Sequence, residues 1–197
     1  MANKDPLVPP APIMWLMGPT SAGKTTLAIA LMQWIQQRGL TPVVHWDGDQ
    51  IRDLMGPQLG FSAESRLQVV RGLVAVSDTT SKSGILTIVS ALTAHQDARE
   101  LVAEMLPNHI KVHVHCSIDI CAERDPKGLY RRAKTGEIDT LIGYNTVYEP
   151  PVDVDLSVDT SAATIDGCVG QVIEFMETRN MLHHPATNIR AEGNTAL

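Results

Sequence analysis

The sequence predicts an α/β protein in three layers, with a five-stranded and mainly parallel sheet between helices on both faces. Three observations predict it. Short apolar runs alternate with longer stretches of helical period along most of the chain. A segment rich in small residues, 18–25, joins the first apolar run to the first helical stretch. Polar groups follow the second and third runs, at the carboxyl edge where ligands gather in a parallel sheet.

The stretch 1–12 carries Pro6, Pro9, Pro10 and Pro12 without an apolar period and is expected to be an extended lead-in. The domain is expected over 13–180. Strand one is Ile13–Met17 and is followed by Gly18-Pro19-Thr20-Ser21-Ala22-Gly23-Lys24-Thr25. Leu27, Leu31, Trp34 and Ile35 then recur at helical spacing until Arg38-Gly39 stops the helix. Strand two, 42–46, runs into Asp47-Gly48-Asp49, which reads as a turn. Ser62-Ala63-Glu64-Ser65 opens a long helix through Leu67, Val70, Val74 and Val76 to Lys82. Strand three is 85–89, a helix covers 97–106, and strand four is 110–116. A short helix at 118–123 enters the polar segment 124–149, where Arg124, Lys127, Arg131, Arg132 and Lys134 crowd together; it reads as a mobile lid. The fifth strand is 152–158, the last helix 165–178, and 181–197 a polar tail expected to be flexible.

Gly18 and Gly23 let the chain double back so that successive N–H groups face a polyphosphate, and the following helix adds its partial positive charge. This reads as the phosphate-binding loop of a P-loop NTPase fold, and its place between strand and helix favours that over the bland alternative, a glycine-rich turn without a ligand. Gly18, Ser21, Ala22, Gly23, Lys24, Thr25 and Thr26 are assigned to ATP, with Lys24 on the β- and γ-phosphates and Thr25 on Mg²⁺. The stretch 85–91 holds no carboxylate to direct the ion. That work falls to Asp47 and Asp49: one orients Mg²⁺, and the other accepts a proton from, or aligns, the attacking hydroxyl. An Asp-Gly-Asp turn used only for its backbone is the bland alternative. Basic residues in a polar loop are often merely solvated. Phosphoryl transfer, however, needs cations around the moving group, and a closing lid supplies them while excluding water, with Lys127 and Arg124 as the candidates. Phe61 and Trp46 either line a pocket or pack. Alternation puts His113 and His115 on one face of a strand and Cys116 on the other, which argues against a metal centre there.

With 197 residues, 44% of them hydrophobic, the chain suits one domain with a full core. A net charge of −6 argues against a general nucleic-acid binder. Cys116, Cys121 and Cys168 make no even disulfide framework, which fits a reducing cytoplasm. No stretch approaches the ~18 apolar residues of a membrane span, and no basic-then-apolar leader opens the chain. A regulatory GTPase would need an Asn-Lys-x-Asp motif, and none occurs.

The stretch 13–178 resembles the adenylylsulfate kinase family, which makes 3′-phosphoadenylylsulfate from adenylylsulfate and ATP. The resemblance is carried by the loop 18–25, by Asp47-Gly48-Asp49-Gln50-Ile51-Arg52, by Leu59-Gly60-Phe61-Ser62 with Arg66, and by Tyr148-Glu149-Pro150-Pro151. Its most specific part is Glu123-Arg124-Asp125-Pro126-Lys127-Gly128-Leu129-Tyr130. It implies an alcohol-accepting phosphotransferase that uses ATP and Mg²⁺, a homodimer, and a cytoplasmic role in sulfate assimilation. It also implies catalytic roles for Asp47, Lys24 and Lys127, a place for Arg124 near the ATP adenine, and acceptor contacts from Arg52, Phe61, Arg66, Ala91, Leu92 and Lys127. The departures fall on the acceptor side. Where the family typically has Phe-Ile-Ser-Pro and then Arg, this chain has Ala91-Leu92-Thr93-Ala94 and then Gln96. An Asn expected after Arg66 falls at Val69, and the usual Phe-Thr-Gly-Ile-Asp-Ser-Pro-Tyr of the lid reads Leu141-Ile142-Gly143-Tyr144-Asn145-Thr146-Val147-Tyr148. The expected acceptor is adenylylsulfate or another anionic, nucleotide-like small molecule. A nucleotide-binding module without turnover is the rival from outside the enzymes.

Overall fold

In the computed structural model, which describes residues 9–56, 59–60 and 62–184, the strands form one sheet in the order β2-β3-β1-β4-β5. They are β1 Ile13–Met17, β2 Val43–Asp47, β3 Leu86–Ala91, β4 Ile110–His115 and β5 Leu156–Asp159. Every pairing is parallel. The helices are α1 Lys24–Gln37, α2 Gly48–Met55, α3 Ala63–Lys82, α4 Gln96–Met105, α5 Ile118–Arg124, α6 Leu129–Lys134 and α7 Ile165–Thr178.

Central β1 is buried along its whole length, and its alternating side chains feed two separate cores. Met14 and Leu16 join Leu27 and Leu31 of α1 and Val172 and Met176 of α7. Ile13, Trp15 and Met17 join Leu73 and Val74 of α3 and Leu101 and Val102 of α4. A strand covered on both faces needs a continuous apolar run, and Ile13-Met14-Trp15-Leu16-Met17 supplies one. Winding reverses at β1, which lies between β3 and β4, so a crevice opens at its carboxyl end. The buried Trp15 indole donates to Thr93 Oγ1 at 2.9 Å, pinning the loop after β3 beside that crevice.

Several boundaries differ from the sequence expectation. The Asp47-Gly48-Asp49 segment is a helix start: Asp47 ends β2, and its Oδ1 accepts the Asp49 N–H at 2.8 Å to cap α2. Ile51 is the buried residue of α2, too little apolar periodicity to mark a helix. The segment 124–149 contains α6, whose first N–H groups are met by the Asp125 carboxylate, at 3.1 Å from Tyr130 N and 2.9 Å from Arg131 N. On α3 the buried face is Val69, Val70, Leu73 and Val74, and Leu67 and Val76 lie at its margin. The fifth strand starts four residues later than expected, at Leu156, with Val152 exposed. Met181 is buried, and the His183 N–H donates to Thr41 Oγ1 at 3.1 Å, so the stretch after α7 first packs back on the body. The expectations for 1–8 and 185–197 lie outside the described residues. No helix among the described residues is long and apolar enough to cross a membrane.

Candidate active site

The phosphate loop fills the crevice at the end of β1. A side chain at Gly18 would collide with the Val114 carbonyl, and Gly23 at φ 90 turns the chain into α1. Helices α3 and α7 are capped by the Ser62 and Thr164 hydroxyls. Helix α1 has neither a side-chain cap nor an acidic residue in its first turn, which leaves its N–H groups open to an anion. Ser21, at φ 65, holds a buried hydroxyl without a partner. Lys24 Nζ donates to the Gly18 and Pro19 carbonyls at 2.9 and 2.7 Å. Burial, then the Lys127 charge, pull its pKa down to about 8. An ammonium so placed gains from any anion brought against it.

Asp47 lies at the carboxyl end of β2, 6% exposed. Its Oδ2 accepts the Thr25 hydroxyl at 2.7 Å and the Ser90 hydroxyl at 2.6 Å. Burial pushes its pKa up, but the hydrogen bonds from Ser90, Thr25 and the Asp49 N–H outweigh this and hold it below the usual carboxylate range. Asp49 pairs with Lys127 from the segment between α5 and α6. Helix α6 reaches the phosphate loop as well, because Tyr130 Oη donates to the Thr20 carbonyl at 3.1 Å. Arg124 donates to the Thr160 carbonyl at 2.6 Å, and Thr160 Oγ1 in turn donates to the Ala22 carbonyl at 2.7 Å.

One cavity of about 1010 Å³ runs from this loop to Arg52 and Arg66. It brings together Ser21, Gly23, Lys24, Thr25, Thr26, Asp47 and Asp49 with Arg124, Lys127, Ala91 and Leu92. Gly18 and Ala22 shape the loop from beneath and do not line it. Arg66 donates to the Thr140 carbonyl at 2.9 Å, and Arg52 to that of Gly60. Burial, with the Arg52 charge second, lowers the Arg66 pKa, so the two guanidinium groups are close enough to feel each other. The wall beside them is aliphatic, made by Val69, Val70, Leu73, Ala91 and Ala98. Gln96 is outside this cavity, bonded to Glu100 at 3.0 Å. Trp46 packs against the core on the α3 side, and Phe61 lies outside the described residues.

A family model described as adenylylsulphate kinase matches residues 11–159. The chain belongs to that family. Among its relatives, the adenylyl-sulfate kinase of Halothermothrix orenii is 33% identical over 87% of this chain and 92% of its own length. The probable adenylyl-sulfate kinase of Pyrococcus abyssi is 37% identical over 78% of this chain and 87% of its own. The APS kinase of Mycobacterium tuberculosis, solved in complex with AMPPNP and APS, superposes with a TM-score of 0.81. It is 28% identical, covering 86% of this chain and 99% of that one. The shikimate kinase of Aquifex aeolicus, 16% identical with a TM-score of 0.51 over 86% of this chain and 98% of its own, shares the P-loop kinase fold. Membership of the adenylylsulphate kinase family makes this chain a kinase that phosphorylates a hydroxyl group.

For a member of this family the oxygen donors suit magnesium. Thr25 Oγ1 and the carboxylates of Asp47 and Asp49 are hard oxygen donors that line the cavity beside the loop. Among the described residues no cluster of three or more His, Cys, Asp or Glu forms a cage. Magnesium suits such a place, since it takes one or two protein groups and completes its shell with phosphate and water. Sequence reasoning missed His45, whose Nε2 lies 2.8 Å from Ser90 Oγ, and Arg99, which donates to the Ala94 and Glu149 carbonyls at 2.9 and 3.0 Å. Arg99 thereby ties the loop after β3 to the end of the lid segment. A lone histidine within an apolar strand was the only signal for the first, and a single basic residue on an amphipathic helix for the second.

Proposed function

We propose that the protein binds Mg²⁺-ATP in the phosphate loop and transfers the γ-phosphate to the 3′-hydroxyl of adenylylsulfate. The observation that carries this reading is the gathering of these groups in one cavity: the open N-terminus of α1 with Lys24, Thr25 bonded to Asp47, and Arg52 with Arg66. Lys24 and the loop N–H groups bind the β- and γ-phosphates, and Arg52 and Arg66 bind the anionic part of the acceptor. Thr25 and Asp47, with Asp49 nearby, would hold magnesium, which when bound neutralises charge on the phosphate oxygens. Asp47 acts by orientation, because a carboxylate with three donors and a lowered pKa is a weak base. A loose phosphoryl-transfer transition state asks little of a base. Lys127 exchanges Asp49 for phosphate as the lid segment closes, and Arg124 faces the nucleotide.

The aliphatic wall favours a second reading, in which the acceptor is a different anionic or nucleotide-like alcohol. Val69 and Ala91 offer no amide and no ring to a purine. A screen of adenylylsulfate and other phosphorylated or sulfated alcohols with ATP, reading the product directly, decides between them. Transfer to adenylylsulfate is the expected result, at a kcat/KM lowered by the missing ring and amide. A strong preference for another acceptor overturns it, and ATP bound without any transfer would leave only a binding module. We further propose a cytoplasmic setting, which suits the buried free thiols of Cys116, Cys121 and Cys168. A homodimer is proposed from the family resemblance, to be read by sedimentation velocity.

A further inference from the structure

We propose that His45 is a positioning residue for Asp47 and acts through the Ser90 hydroxyl; this rests on the reading of Asp47 given above. The register of β2 and β3 sets Asp47 opposite Ser90 and His45 opposite Ile88. A period of two puts His45 and Asp47 on the same face of β2. His45 Nε2 lies 2.8 Å from Ser90 Oγ, and Ser90 Oγ lies 2.6 Å from Asp47 Oδ2.

Proton counting gives the chain a direction. An ionised carboxylate only accepts, so the single Ser90 proton points at Asp47. The Ser90 oxygen must then accept from the ring, and His45 carries its proton on Nε2. The sequence of donors runs from His45 to Ser90 to Asp47, and each step fixes the next. The Ser90 hydroxyl is buried and would otherwise be free to turn about its C–O bond.

The consequence falls on Thr25. Its hydroxyl proton is also directed at Asp47 Oδ2, which leaves the Thr25 oxygen lone pairs for a cation on the phosphate side. If Oδ2 swings, Thr25 loses its acceptor and with it that orientation. His45 therefore sets the direction of the Thr25–Asp47 pair without touching ATP, and it belongs to transfer more than to nucleotide affinity. It stands beside Val43, Val44 and Trp46 on a strand whose only other ionisable group is Asp47.

The first test needs no turnover. In ¹⁵N NMR of the ligand-free protein at mildly alkaline pH, the His45 ring should show the Nε2–H tautomer, and an Nδ1–H tautomer overturns the proposal. The second test is kinetic. His45→Ala should lower kcat by about 10- to 100-fold, the range for loss of a partner that orients a ligating group. Its KM for ATP should stay within about twofold. His45→Gln, whose carboxamide can donate to Ser90, should recover most of the rate, and His45→Ala in a Ser90→Ala background should cost little more than Ser90→Ala alone. A folded His45→Ala variant at the full rate, or effects of the two substitutions that simply add, overturns the proposal. Asp47→Asn separates the two levels: if it turns over at the full rate, the role of Asp47 fails and this inference with it. A slow Asp47→Asn beside a full-rate His45→Ala sinks this inference alone. Should the acceptor screen favour a different alcohol, the same comparison is run with that alcohol.

Discussion

The two ends of the cavity are built from different materials. The ATP end is made largely of main chain: the uncapped start of α1, the loop carbonyls that hold Lys24, and the Thr160 bond to the Ala22 carbonyl. The proposed acceptor end is made of side chains, with Arg52, Arg66 and the aliphatic wall of Val69, Ala91 and their neighbours. Main-chain recognition survives substitution as long as the backbone path is kept, and so a serine at φ 65 in position 21 can be carried within the loop. Side-chain recognition changes with each residue. Two of the departures from the family pattern, Val69 and Ala91, lie on the side-chain wall.

The largest effect should come from removing Lys24, which we propose binds the β- and γ-phosphates. Lys24→Ala should lower kcat/KM by at least about 10²- to 10³-fold, as loss of a single preorganised charge-stabilising donor does. Binding of the acceptor alone, followed by calorimetry, should stay within about twofold, because Lys24 is held by the Gly18 and Pro19 carbonyls and not by the groups around Arg52 and Arg66. A comparable loss of acceptor affinity would show that the ends are coupled and break the comparison.

Much of this division was legible in the sequence. The phosphate loop is contiguous, so its spacing and its place after Ile13-Met14-Trp15-Leu16-Met17 were enough to locate it. Asp47 was legible for a similar reason: it closes an apolar run, and 85–91 has no rival carboxylate. The hydrogen bonds around it were not. Ser90 and His45 reach Asp47 through the pairing of β2 with β3, a register that no local pattern encodes. Helix α6 escaped because its capping carboxylate, Asp125, lies outside the helix and precedes a proline and a glycine that read as loop. The displacement of Gln96 from the cavity escaped as well. Its direction depends on α4 beginning at that residue, which turns its amide toward Glu100.

The second effect is smaller and sits at the acceptor end. Ala91 lies on the wall of a cavity with room for a ring, and stacking a base on an aromatic side chain is worth ~1–3 kcal/mol. Ala91→Phe should therefore lower the KM for adenylylsulfate by about ten- to a hundredfold while leaving the KM for ATP within about twofold. Steady-state kinetics with each substrate varied in turn checks both halves. An unchanged KM for adenylylsulfate would show that the wall at Ala91 does not face the purine, and would favour the reading in which the acceptor is another alcohol.

The smallest effect is a pH dependence confined to the ATP end. Burial, with the Lys127 charge second, depresses the Lys24 pKa to about 8 in the ligand-free protein, so part of the population loses this charge as the pH rises through that value. The phosphates of ATP favour the ammonium form and raise its pKa in the complex. Binding near and above pH 8 must then take up a proton, and the Kd for ATP should rise with pH by no more than about tenfold per unit, the limit for one linked proton. Calorimetry in two buffers of different ionisation enthalpy measures that uptake directly, and Lys24→Ala should abolish it. A guanidinium does not lose its proton in a protein, so the Kd of an anionic acceptor whose own ionisation is constant should be flat over that pH range. Proton release on ATP binding, or an acceptor Kd that follows the same curve, would contradict the assignment of the titrating group to Lys24 and the separation of the two ends.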